Sequence, residues 1–161
     1  MAEELFAYAF LMEAGLLPAE NYWKKLDELF EAHMDDELLL ELEYSARHGL
    51  RTVNLIREYL LDGRRPVDMG RFCRTLLGLL EEIYRSRTTA LPEFGARAYL
   101  LWEALPERVS GQEPFLRLCW ANDPLSYGDE AGAREIYEGI FSYDKEDLRG
   151  ASQAGGHIAD A

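Results

Sequence analysis

The sequence predicts an all-α fold: a single-domain helical bundle of about seven to eight helices over residues 1–148, with a disordered C-terminal tail over residues 149–161. Three observations lead there. Apolar residues recur at three- and four-residue spacing through almost the whole chain, while strand-like alternation is nearly missing. Hydrophobic residues make up 48% of the sequence, so its charge excess is not the signature of a disordered chain, which needs low hydrophobicity as well. A compact chain of 161 residues buries about 70% of the surface it exposes when unfolded, which suffices for one core and argues against a second domain.

The first helix runs from about Glu3 to Ala14 and stops at Gly15. Leu5, Phe6, Ala9, Phe10 and Met12 make it apolar over most of its circumference, which places it at the centre of the core. Pro18 opens a second helix, about Ala19 to Met34, with a stripe of Tyr22, Trp23, Leu26, Leu29, Phe30 and His33. The third, about Asp36 to His48, takes Asp35 as its N-cap and ends at Gly49, with Leu38, Leu39, Leu42 and Ala46 inward. Arg47 and His48 complement the dipole in its last turn. The fourth, about Leu50 to Asp62, buries Val53, Ile56, Tyr59 and Leu60 and is stopped by Gly63.

After the turn Arg64-Arg65-Pro66 comes the longest helix, about Val67 to Arg87, with Met69, Phe72, Cys73, Leu76, Leu79, Leu80 and Ile83 on one broad face. At roughly 20 residues it spans about 30 Å. Pro92 marks a sixth helix reaching Leu105 through Phe94, Ala98, Leu101 and Trp102. A shorter piece, about Glu113 to Ala121, leads into the turn-rich stretch Asn122 to Gly128, where Trp120 reads as buried and Tyr127 as exposed. The last helix, about Glu130 to Tyr143, carries Ile136, Tyr137, Ile140 and Phe141. Beyond Gly150 the only large apolar residue is Ile158, hence the expected tail.

Charge is distributed in blocks. Residues 1–46 hold twelve acids against Lys24 and Lys25, residues 47–88 hold nine arginines against five acids, and residues 89–161 hold thirteen acids against six bases. The net charge of −13 disfavours nucleic acid and anionic membrane surfaces and favours a basic protein partner, because long-range potential steers encounter. The acidic start Met1-Ala2-Glu3-Glu4 is unlike a signal or transit peptide, and the apolar run Leu5 to Met12 is far short of a membrane span, so the expected location is cytoplasmic. Cys73 and Cys119 sit alone in apolar strings and read as buried free thiols.

The candidate partner-binding residues are Asp27, Glu28, Glu31 and Asp35, with Tyr127 as an exposed aromatic anchor. A solvated helix face, eased by Lys24 contacts to Glu20 and Glu28, is the plainer account of the same acids. Arg71, Arg74 and Arg85, set around Gly78 on the fifth helix, are candidates for contact with an anion or a partner. His33 lies on an apolar stripe and reads as a core residue rather than a ligand. No serine stands in a G-x-S-x-G setting and neither cysteine has an activating neighbour, so no catalytic residue, cofactor or metal is assigned.

Glu28-x-x-Glu31 resembles the paired carboxylates with which all-helical nucleotide pyrophosphohydrolases hold magnesium. That resemblance implies a second acidic pair on a facing helix. Glu81-Glu82 and Glu58 with Asp62 are available, and both depart from the family's spacing, so the chain is assigned to no family. Size and acidity are similar to those of bacterial immunity proteins and antitoxins, which neutralise basic nucleases. The leading expectation is therefore a non-catalytic module for a basic partner. The alternatives are a magnesium-dependent helical hydrolase of a phosphorylated small molecule, and a sensor enclosing an apolar ligand near Phe10, Leu76 and Trp102.

Overall fold

A computed structural model describes residues 2–47, 51–63 and 65–148. The helices are α1 (Ala2–Glu13), α2 (Ala19–Ala32), α3 (Glu37–Arg47), α4 (Thr52–Asp62), α5 (Met69–Ser86), α6 (Leu91–Ala104), α7 (Glu107–Ser110), α8 (Arg117–Trp120), α9 (Asn122–Ser126) and α10 (Glu130–Phe141). The described residues are all-helical, with seven helices of eleven residues or more and three of a single turn. The expected tail over 149–161, with His48, Gly49 and Arg64, lies outside the described residues.

α1 sits at the centre because it is apolar over most of its circumference, with its acids confined to the two ends. Leu5, Phe6, Ala7, Ala9, Phe10 and Leu11 are all fully buried, and the helix packs against α2, α4, α5 and α6. It ends as helices with a glycine at C′ do: Gly15 adopts φ +73°, and the Leu16 N–H donates back to the Leu11 carbonyl at 2.9 Å. Arg97 of α6 donates to the Gly15 carbonyl at 2.7 Å, tying the sixth helix to that turn.

α5 is the main partner of α1, joined to it by the tilted ring contact Phe10–Phe72 (5.8 Å between centroids). Asp68 caps its N-terminus, accepting from the Arg71 N–H at 2.9 Å. Its buried face differs from the expected one. Leu77 and Tyr84 are buried, whereas Leu79 and Ile83 only edge the core. The reason is at the C-terminal end, where Tyr84 joins Phe94 of α6 and Tyr137 and Phe141 of α10 in an aromatic cluster with centroids 5.1 to 5.5 Å from Tyr84. Each such ring pair adds about 0.5–1.5 kcal/mol beyond area burial, enough to set the rotation of the helix.

Several other expectations are corrected. Asp36, not Asp35, holds the start of α3: its Oδ1 accepts from the Leu38 N–H at 3.0 Å. The same carboxylate takes Arg65 Nη1 at 2.7 Å from both oxygens, which fastens the α4–α5 turn to α3. On α2 only Tyr22 and Leu26 are buried. His33 is exposed at the C-cap, outside the core, because the helix ends at Ala32 before a further turn could carry it inward. Asn122–Ser126 is a helical turn, not irregular chain, and Trp120 is 47% exposed. Pro124 is the residue that turn buries, with Ala121 buried just before it. Cys73 is buried and Cys119 half-buried, both with free thiols.

Candidate functional site

The acidic candidates Asp27, Glu28 and Glu31 all project from the outward side of α2, since Tyr22 and Leu26 turn the opposite side to α1. Residues at three- and four-residue spacing share a face, so Glu20, Asp27 and Glu31 fall beside Trp23. That tryptophan is 48% exposed. Together with Lys24 and Glu28 these residues line a shallow depression of about 610 Å³, with small Ala19 leaving room one turn before the indole. A second depression of about 360 Å³ follows along the edge toward α1, where Tyr8 meets Asn21, Lys25 and Glu28.

The basic residues of the helix neutralise little of this face. Lys25 turns to Glu4 of α1 at 3.0 Å and reaches Glu28 at 3.9 Å. The contacts expected from Lys24 to Glu20 and Glu28 are not formed among the described residues; Glu28 is approached instead by Lys25. Among the described residues Asp27, Glu31 and Asp35 have no cationic partner. Asp35, past the end of α2, is exposed and extends the acidic stretch toward α3. Asp36 beside it is set apart: burial works to raise its pKa, but the hydrogen bonds and charge of Arg65 hold it below the ordinary aspartate value.

The remaining candidates are dispersed. Tyr127, 73% exposed, lies at the end of α9. Arg85 is fully engaged: it meets Glu138 through two hydrogen bonds at 3.0 and 2.9 Å, takes Glu81 at 3.1 Å, and lies 5.7 Å from the Tyr84 ring centroid. Those bonds lower the Glu138 pKa and raise that of Arg85. Arg74 is half-buried with its Nη1 lacking a hydrogen-bond partner, and Arg71 is exposed. At 1.5 Å per residue, Arg74 and Arg85 are about 16 Å apart along the helix, so the three arginines do not form one cluster. A Cβ at Gly78 would meet no atom within 4 Å, so no neighbouring backbone approaches it.

Glu81 is taken by Arg85 and by Lys145 at 3.4 Å. Among the described residues no three His, Cys, Asp or Glu side chains gather at metal-ligand range. Phe10 and Leu76 are fully buried in the packed core, and Trp102 donates its indole N–H to the Ser110 carbonyl at 2.9 Å. No helix of the described residues is long and apolar enough to cross a membrane.

Trp23 and Trp120 are the two surface aromatics that the sequence reading placed in the core. The signal for Trp23 is in its neighbours three and four residues away, Ala19, Glu20, Leu26 and Asp27: two are acids that belong on a wet face, and Leu26 alone is large and apolar. The chain matches no protein-family model, no curated protein and no solved structure.

Proposed function

We propose that the protein is a non-catalytic binding module whose α2 face receives a basic protein partner. The observation that carries the reading is the pairing of an exposed indole with carboxylates that no cation among the described residues satisfies. Trp23 supplies apolar area at low entropic cost, and Glu20, Asp27 and Glu31 around it supply the field that orients a cationic surface. Across an interface, an arginine or lysine of the partner stacks on the indole while its neighbours meet the acids. Both cysteines are free thiols, which suits the reducing cytoplasm that this reading assumes.

The test is affinity capture from native cell lysate at low and at high salt, with the native chain and with Glu28, Glu31 and Asp35 reversed to lysine. A basic protein recovered at low salt, lost as salt rises and lost with the triple reversal is the expected result. Helicity by circular dichroism stays unchanged in the variant, since all three side chains are exposed. Trp23→Ala is expected to weaken the captured complex by about 2 kcal/mol, or about thirtyfold. Recovery that ignores both salt and the reversal removes α2 as the binding face.

A further inference from the structure

A second site stands apart from the acidic face, where the end of α5, the start of α6 and the start of α10 meet. The cleft there holds about 260 Å³, just under the range of pockets for drug-sized ligands, so its occupant is a small molecule. Its apolar wall is Ile83, Tyr84, Leu91 and Phe94, and its polar mouth is Arg87, Thr89, Glu130 and Arg134.

The charge at that mouth runs against the rest of the chain. Arg87 makes no ion pair among the described residues. Glu138 lies within range of its charge, but Glu138 is already held through two hydrogen bonds by Arg85. Among the described residues Arg134 reaches Glu130 alone, at 3.8 Å, a separation too long for a hydrogen bond. Glu93, on the same turn of α6, is engaged by Arg97. Two guanidinium groups thus face one opening with a single, loosely held carboxylate between them. Ala90 gives α6 no side-chain cap, and with Pro92 lacking an N–H the first turn of that helix leaves only the Leu91 and Glu93 N–H groups without an intrahelical acceptor.

We infer that this cleft binds a small organic oxyanion, a phosphate monoester or a carboxylate carried on an apolar body. The forked guanidinium groups match the oxygens of either head group, and the Tyr84–Phe94 wall takes the body. Arg87 is the residue that makes the inference testable. It closes α5 with φ +51°, a conformation that glycine adopts at no steric cost. Arg87→Gly therefore removes the guanidinium while relaxing the backbone.

The experiment is an amide NMR titration of the full chain at constant ionic strength with phenyl phosphate, benzoate, inorganic phosphate and benzyl alcohol. Saturable shifts confined to the amides around residues 87–94 and 130–134 are expected with phenyl phosphate or benzoate, and the arm that binds tighter identifies the head group. Benzyl alcohol is expected to give none, and inorganic phosphate to bind at least tenfold more weakly. Arg87→Gly weakens binding about tenfold or more, the worth of a charge-assisted hydrogen bond, while its melting temperature equals or exceeds that of the native chain. Arg134→Gln weakens binding similarly. Scattered or unsaturable shifts, equal binding of inorganic phosphate, or an Arg87→Gly chain that titrates like the native one would overturn the inference.

Discussion

Gly78 lies in the interior of the longest helix, where glycine costs about 1 kcal/mol relative to alanine. Gly78→Ala isolates that cost, because an added Cβ at this position meets no heavy atom within 4 Å. Packing therefore contributes nothing of either sign, and the helical backbone needs no adjustment. The expected gain is about 0.5–1 kcal/mol. For a domain of this size that corresponds to a rise of about 2–4 °C in melting temperature per kcal/mol, and to a urea midpoint shift of about 0.2–1 M at an unchanged slope. Thermal and urea unfolding, each followed by circular dichroism, read the two quantities. Gly95→Val on α6 is the contrast. A side chain there collides with the Leu125 methyl and stands 3.4 Å from the Tyr137 hydroxyl, so it is expected to lose about 1–3 kcal/mol by overpacking. A Gly78→Ala chain that is less stable than the native one, or equal to it, would refute the reasoning, since it would mean that the glycine serves a packing or conformational need.

Three further predictions follow from the core and its charges. Phe10→Ala, at the fully buried centre of α1 against Phe72, is expected to cost about 3–5 kcal/mol in the same unfolding assay. The Arg65–Asp36 pair holds the Asp36 pKa below its ordinary value of 3.8, so its contribution is present above that value and is lost as pH falls through the folded pKa. Arg65→Met is accordingly expected to cost about 1 kcal/mol at neutral pH, a deficit that closes on acidification and is measured by unfolding between about pH 3 and pH 7. Burial pushes the Cys73 thiol up to about 12, whereas Cys119 is only half-buried, with its thiol donating to the Leu116 carbonyl. Iodoacetamide on the native chain should modify Cys119 first, as read by mass spectrometry. Prior reaction at Cys73 would show that the core opens there.

The sequence carried the helices more legibly than the faces they present. α1 reads correctly because residues 5–12 are apolar or aromatic throughout, so no choice of face is required there. Gly15, Gly63 and the proline at the start of α6 mark their boundaries through backbone geometry that other residues adopt only at a cost. On α5 the periodic pattern allowed two adjacent stripes, and the aromatic cluster around Tyr84, a tertiary event, selected between them. The expected Trp23 orientation failed for a related reason. A tryptophan was read inward by residue type, whereas the acids one turn away on either side define the face. The acidic candidates themselves were legible because nothing but water or a partner suits unpaired carboxylates. The Arg87 cleft was not, since its residues come from three helices whose junction only the fold creates.

The proposed docking of a basic partner on the outward face of α2 is open to direct test with a photo-crosslinking residue placed at Asp27. A matched probe at Glu135 on α10 serves as the reference, and both are irradiated in native lysate at low salt and at about 0.5 M salt. The account predicts a crosslink from position 27 to a basic protein, abolished at the higher salt and by Trp23→Ala, with none from position 135. Crosslinks that arise equally from both positions, or from position 27 only to acidic proteins, would contradict it.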